Sequence, residues 1–199
     1  MPLQVEGFAI VSEDGMIADA RGVMPASLQI EADQRFFFGR LAEAALIVHG
    51  KNSREHFSGT RDRPRLIATR SVETGESVAG EPRTLLWNPA GLPFEAAAEQ
   101  LGVTEGFAAV LGGPSIYGLF LPRYDAFDLS RAAGVRLPGG LGVFPEVPAK
   151  RPKAVLEAAG LALDERRLLD PEAGVTVAIW RRVGASFRHG AQRRARNDA

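Results

Sequence analysis

The chain has 199 residues, no cysteine and three histidines. The lack of cysteine excludes a disulfide framework, a thiolate nucleophile and a thiolate metal site, and it fits a reducing compartment. His49, His56 and His189 lie too far apart in sequence to form a pair with metal-ligand spacing. We therefore predict that the protein holds no metal.

Charge of one sign and long apolar runs are also missing. The 24 basic and 24 acidic side chains cancel, which removes the attraction that a nucleic-acid or anionic-membrane binder uses. No apolar run reaches the length of a membrane span, and the N-terminus does not have the pattern of a signal peptide. We expect a cytoplasmic protein with a small-molecule partner, and its oligomeric state stays open between a monomer and a homodimer.

Apolar runs and helical patterns alternate along the chain, which is long enough for one sizeable core. Continuous apolar runs that end in glycine are typical of strands buried on both faces of a parallel sheet. We predict a single α/β domain over residues 1–184, with a mainly parallel central sheet flanked by helices and an antiparallel C-terminal edge. Predicted strands are GFAIV (7–11), ALIVHG (45–50), PRLIATR (64–70), TLLWN (84–88), FAAVLGG (107–113), FDLS (127–130) and VTVAIWRRV (175–183).

The first predicted helix lies in residues 27–44, where Ser27 is placed to cap its start and apolar residues recur at helical spacing. Residues 17–25 are small and irregular, which predicts a loop. Further helical patterns occupy residues 94–102 and 115–120. The tail, residues 185–199, is basic and lacks apolar periodicity, so we predict that it is disordered.

Two adjacent glycines, Gly112 and Gly113, stand where a predicted strand gives way to a helix. Without Cβ atoms they let the backbone approach a diphosphate closely, although a tight turn alone has the same pattern. Two other strand ends support the first interpretation. Lys51 follows one and Arg70 follows another, and such cations match the 2′-phosphate of NADPH.

The order of these motifs resembles dihydrofolate reductase and its relative, the pyrimidine reductase of riboflavin synthesis, over nearly the whole chain to about residue 183. The segments that carry the resemblance are IVSEDGMIA, RGVMPASL, VHGKNSRE, ATRS, LGGPSIYGLFLPRYDAFDLS and LPGGLGVFPE. The resemblance implies an NADPH site that also places Tyr117 near the nicotinamide. The implied cofactor residues are Gly50, Lys51, Asn52, Ser53, Thr69, Arg70, Ser71, Leu111, Gly112, Gly113, Ser115, Ile116 and Tyr117.

In the folate enzyme, a carboxylate on the first helix holds the substrate, and this chain offers Asp33 and Glu31 at that level. Asp33 is favoured because Phe37, four residues on, shares its helix face. A carboxylate in a first turn also answers the helix dipole, and Glu31 fits that simpler role better. The resemblance further implies substrate-binding roles for Met24, Leu28, Phe37, Arg63 and Ser130.

The function that this resemblance implies is hydride transfer from NADPH to a nitrogen heterocycle, with dihydrofolate, reduced to tetrahydrofolate, as the first substrate to consider. The alternative substrate is 5-amino-6-(5-phosphoribosylamino)uracil of riboflavin synthesis. A further alternative is a catalytically silent protein that binds NADPH.

Overall fold

The computed structural model describes residues 2–51 and 63–184, which form eleven strands and four α-helices. None of the helices in these ranges is long and apolar enough to cross a membrane. The helices are α1 (Glu31–Leu41), α2 (Phe94–Gln100), α3 (Pro114–Phe120) and α4 (Pro152–Ala158). The strands are β1 (Gln4–Val11), β2 (Met16–Ala18), β3 (Leu46–Gly50), β4 (Arg65–Ala68), β5 (Gly75–Val78), β6 (Glu81–Trp87), β7 (Phe107–Val110), β8 (Ala126–Ala132), β9 (Leu141–Gly142), β10 (Leu161–Asp170) and β11 (Val175–Arg182).

Nine strands form one sheet in the order β10-β11-β8-β1-β7-β3-β4-β6-β5. The six from β8 to β6 run parallel, while β11 and β10 pair antiparallel at the C-terminal edge. The predicted single α/β domain with a mainly parallel sheet and an antiparallel C-terminal edge is therefore confirmed. The opposite edge is also antiparallel, because β5 returns on β6 in a hairpin. The short strands β2 and β9 form a separate ladder.

Successive strand residues bury their side chains in clusters on opposite faces of the sheet, as the period of two requires. On β1, Val5 and Val11 join the larger cluster, whereas Phe8 joins a smaller one. The larger cluster takes side chains from α2, α3 and α4, and the smaller one takes Leu41 of α1. Helices thus cover both faces, which is why the central strands are continuous apolar runs.

The start of the first helix differs from the prediction. Ser27 does not cap α1, because residues Ala26–Leu28 form a single 3-10 turn and the helix begins at Glu31 after Ile30. Leu28 is 1% exposed and packs beside Ile10 of β1. Burial of this leucine fixes the path of the chain before the helix, so the helix cannot extend back to Ser27.

Some elements were not predicted. The apolar alternation of a half-buried strand is absent from β10, because this edge strand is exposed at most positions and rich in charge. The helix α4 before it is only seven residues long. Met16–Ala18 forms a strand that overlaps the start of the predicted loop 17–25. The predicted disorder of residues 185–199 lies outside the described residues.

Candidate functional site

Asp33 is a buried carboxylate on the face of α1 that lies against the sheet. Its side chain belongs to a residue only 9% exposed. Burial raises the pKa of Asp33, and a hydrogen bond with the Ser130 side chain on β8 partly offsets that effect. Ser130 is itself 3% exposed. Asp33 and Ser130, two of the residues that the resemblance assigns to the substrate side, are therefore brought together by the fold.

Glu31 lies on a different side of the same helix. Two residues along a helix correspond to a rotation of about 200°, so a buried Asp33 leaves Glu31 facing solvent. The Glu31 side chain is 81% exposed and pairs with Arg35 at 2.6 Å. Of the two carboxylates considered, Asp33 is the one placed beside Ser130.

The apolar residues predicted to contact substrate occupy different environments. Phe37 is half-buried and its ring lies 6.0 Å from that of Phe8. Leu28 is fully buried under the start of α1, which makes it part of the core. Met24 is 40% exposed, and the backbone just before it is folded by Asp19, whose carboxylate accepts hydrogen bonds from two backbone amides.

Arg63 is attached to the end of α1. Its guanidinium donates hydrogen bonds to the backbone carbonyls of Ala42 and Ala44, the residues that follow the helix. These bonds hold the segment before β4 against α1. The predicted role of Arg63 in binding a substrate tail stays a prediction.

The glycine pair lies at the junction of β7 and α3, and both glycines have a positive φ, which glycine adopts readily. Gly112 and Gly113 have φ of +134° and +54°, a region that disfavours side chains. A Cβ on Gly112 would lie 3.4 Å from the Tyr117 hydroxyl, which donates a hydrogen bond to the Phe8 carbonyl. A Cβ on Gly113 would meet no atom within 4 Å. The backbone of Gly113 therefore borders open space, as the approach of a diphosphate requires.

Other predicted cofactor residues lie at the same end of the parallel strands, after β3 and β4. A Cβ on Gly50 would lie 3.2 Å from Ile116, so the end of β3 touches α3. The backbone amide of Lys51 donates to the Ala68 carbonyl at 3.2 Å, which places this lysine beside the end of β4. Leu111 is buried, Ser115 is exposed, and Asn52 and Ser53 lie outside the described residues.

The turn after β4 is built from its own side chains. The hydroxyls of Thr69 and Ser71 lie 3.0 Å apart, and the Thr69 hydroxyl accepts a hydrogen bond from the Ser71 amide at 3.2 Å. Arg70 stands between them and is exposed. Two hydroxyls and a guanidinium are thereby presented together.

Strand register relates the two halves of the candidate site. β1 lies between β7 and β8, with Gly7 opposite Val110 and Ile10 opposite Ser130. The glycine pair after β7 and Ser130 on β8 therefore flank the end of β1. Two strand spacings correspond to about 10 Å. The glycine pair and the buried Asp33 therefore lie on either side of β1.

Two acidic residues outside the predicted set are buried beneath α1, and Arg40 of the helix reaches one of them. Glu6 and Asp128 are 4% and 7% exposed, and Arg40 pairs with Glu6 at 2.6 Å. A sequence signal for the acids exists, because each interrupts an otherwise apolar strand in VEGFAIV and AFDLS. Among the described residues, no three histidine, aspartate or glutamate side chains are grouped where they could hold a metal ion.

Comparison with known proteins bears on the fold. No family model and no curated protein matches the chain. A dihydrofolate reductase of Enterococcus faecalis, solved with NADP(H) and RAB-propyl, superposes with a TM-score of 0.59 at 12% identity over 92% of this chain and 99% of that one. The chain has the dihydrofolate reductase-like fold.

Riboflavin enzymes show the same fold. A diaminohydroxyphosphoribosylaminopyrimidine deaminase/5-amino-6-(5-phosphoribosylamino)uracil reductase of Thermotoga maritima gives a TM-score of 0.61 at 15% identity over 91% of this chain. The present chain spans 57% of the length of that protein. A riboflavin biosynthesis protein, described as putative, of Shewanella sp. PV-4 gives a TM-score of 0.58 at 16% identity, covering 90% of this chain and 99% of that one.

Proposed function

We propose that the protein is an NADPH-dependent reductase of a planar nitrogen heterocycle, and that its first-choice substrate is dihydrofolate, reduced to tetrahydrofolate. The observation that carries this proposal is the burial of Asp33 beside Ser130, one strand away from the glycine pair. A carboxylate whose pKa is raised by burial is typical of a functional site.

On the substrate side, an ionised Asp33 accepts two hydrogen bonds from the donor edge of the heterocycle. Its negative charge also stabilises protonation of the neighbouring ring nitrogen. Ser130 orients the carboxylate, Phe37 contacts the ring, and closure of the loop that carries Met24 excludes water.

On the cofactor side, bound NADPH supplies the hydride. Gly113 gives the diphosphate a backbone without a side chain in its way. Lys51, Arg70 and the hydroxyls of Thr69 and Ser71 hold the 2′-phosphate by charge-assisted hydrogen bonds.

A second substrate is 5-amino-6-(5-phosphoribosylamino)uracil. The observation in its favour is the turn after β1, where the sequence resembles the riboflavin reductases. The Ser12 hydroxyl donates to Asp14 at 2.6 Å, and Asp14 also accepts from the Leu137 amide at 3.1 Å. This turn fixes the loop that leads into β2.

The deciding experiment is an NADPH oxidation assay on the purified chain with each of the two substrates in turn. Turnover with dihydrofolate supports the first choice, and turnover with the pyrimidine alone supports the second. NADPH binding without turnover of either would identify a catalytically silent cofactor-binding protein.

We predict that Arg70→Ala and Lys51→Ala weaken NADPH binding about 10- to 100-fold, as expected for loss of one hydrogen bond to a charged group. NADH binding should change much less, because NADH has no 2′-phosphate. Titration calorimetry with both cofactors measures the difference. Arg83→Ala is the matched control, because Arg83 lies near the start of β6, whereas the two cations follow the ends of β3 and β4. This change should alter the binding of neither cofactor. Equal losses for both cofactors would place the phosphate elsewhere.

We predict that Gly113→Val abolishes measurable NADPH binding while the chain stays folded. The added side chain would project into the open space beside the glycine backbone. The φ of +54° also strains any residue with a side chain, so Gly102→Val is the control. Gly102 has a φ of +72°, and a Cβ there also meets no atom within 4 Å. It precedes the N-terminal end of β7, away from the candidate cofactor residues. Normal NADPH affinity in Gly113→Val would mean that the glycine pair only forms a tight turn and does not bind the diphosphate.

A further inference from the structure

An ion pair joins α1 to the buried acid Glu6 of the sheet. Arg40 reaches from the last turn of α1 to Glu6 on β1, and the nitrogen to oxygen distance is 2.6 Å. The side chains of the two partners are 23% and 5% exposed. The Arg40 guanidinium also lies 4.9 Å from the centre of the Phe107 ring. The cation is thus held from two strands of the sheet.

Arg40 shares a helix face with the proposed catalytic carboxylate. Asp33, Phe37 and Arg40 are spaced by four and three residues, so they project from one side of α1. All three contact the sheet. Asp33 is hydrogen-bonded with Ser130 of β8. Phe37 packs near Phe8 of β1, and Arg40 pairs with Glu6 of the same strand. Glu6 lies near the start of β1, so α1 runs antiparallel to this strand. The apolar contact of Phe37 lies between the polar contacts of Asp33 and Arg40.

Arg40 also pairs with the exposed Glu43 at 2.6 Å, but its ion pair with Glu6 is the one that joins the helix to the sheet and so resists sliding of α1. Apolar side chains tolerate small shifts, whereas a displaced Arg40 would leave Glu6 buried without its cation. At the other end of the helix Ile30 provides no side-chain cap, and the polar contact with the sheet is the hydrogen bond between Asp33 and Ser130. The position of Asp33 in the first turn therefore depends on that hydrogen bond together with the Arg40 contact further along the helix.

We propose that Arg40, through its ion pair with Glu6, is a positioning residue that holds α1 in the register where Asp33 faces the substrate. The catalytic part of this inference rests on the proposed function. The structural part, that Arg40 sets the environment of Asp33, can be tested without turnover.

Asp128 is a second buried carboxylate near this ion pair. It lies on β8, with Phe8 of β1 opposite it in register. Burial and the nearby Glu6 raise the pKa of Asp128 to about 7, while cations lower it. The charged groups that face Asp128 are Glu6 of β1, Arg40 of α1, Arg181 of β11 and Arg167 of β10.

The test measures the titration of the Asp33 carboxyl by 13C NMR in the ligand-free chain, with Asp33→Asn to assign the signal. In Arg40→Leu and in Glu6→Gln we expect the pKa of Asp33 to move towards its ordinary value, because the first turn shifts and water reaches the carboxyl. In the NADPH assay, kcat should fall about 100-fold, as for a misplaced catalytic group, with the KM for NADPH unchanged. Arg40→Lys should restore much of both.

Two further variants keep the test decisive. Arg35→Leu, which removes an exposed arginine from the same helix, should change neither readout. If Arg40→Leu does not fold, the double variant Glu6→Leu/Arg40→Leu removes both charges without leaving a lone one, and the pKa of Asp33 should still move. Unchanged titration of Asp33 in these variants overturns the inference. Absence of turnover in the unmodified chain contradicts the proposed function only, since the NMR result stands by itself.

Discussion

Replacing Asp33 with asparagine is expected to lower the turnover of NADPH-dependent reduction by about 10²- to 10⁴-fold, the range for loss of a group that assists proton transfer. Asparagine keeps the shape but loses the charge that supports protonation of the heterocycle. NADPH affinity should hardly change, because the proposed cofactor residues lie across β1 from Asp33. Steady-state rates and cofactor titration together measure this separation.

The same variant should melt at a higher temperature at neutral pH. Burial raises the pKa of Asp33, so the folded chain keeps its proton to higher pH than the unfolded chain does. Stability is then lost as pH rises from the ordinary aspartate pKa to the raised one, and the cost persists above it. Asparagine avoids that cost. A carboxylate that served only the helix dipole would instead cost about 0.3 to 1 kcal/mol when removed.

Glu31→Gln separates the two carboxylates. Its exposed side chain pairs with Arg35 and does not share the buried face, so turnover should survive this change. Normal turnover in Asp33→Asn together with failure of Glu31→Gln would move the chemistry to Glu31. Normal turnover in both would exclude a carboxylate mechanism on this helix and favour the pyrimidine substrate.

Asp128→Asn is expected to stabilise the protein at pH 8 by about 2 to 4 kcal/mol and at pH 5 by less than half of that. Burial and Glu6 raise the pKa of Asp128 from 3.8 to about 7. Each unit corresponds to about 1.4 kcal/mol, and sharing of the proton with Glu6 reduces the total. The folded chain binds more protons in this window, so stability falls as pH rises from about 4 to 7 and stays low above it.

Thermal melting at pH 5 and pH 8 measures this difference directly. Asp164→Asn is the matched control, because that carboxylate is half exposed and pairs with Arg181 on the surface. Its removal should change stability by no more than about 1 kcal/mol at either pH. A lower melting temperature of Asp128→Asn at pH 8 would mean that the ionised form is held favourably by Arg40.

The sequence predicted much of the parallel sheet and the edge that carries the candidate cofactor residues. Runs such as 45–50 and 107–113 are largely apolar because helices cover both faces of the sheet. The residues that follow these runs must then meet at one edge. The sequence alone therefore places Gly50, Lys51 and the glycine pair together, although their binding role stays a prediction.

Elements whose residues face water were harder to predict. β10 carries the sequence LALDERRLLD, which has no apolar alternation because an edge strand needs little burial. Its strand character comes from pairing with β11. The start of α1 was misplaced for a related reason, since burial of Leu28 outweighed the capping preference of Ser27.

By itself, then, the sequence determined the α/β class, the parallel strands and the spacing that puts Asp33, Phe37 and Arg40 on one helix face, because these follow from local periodicity. Only the tertiary structure decided that this face is the buried one and that Glu31 is exposed. It alone joined Arg40 with Glu6 and Asp128, which come from three separate elements. Burial and charge pairing depend on how a helix crosses a sheet, and that crossing is set by contacts between segments distant in the chain.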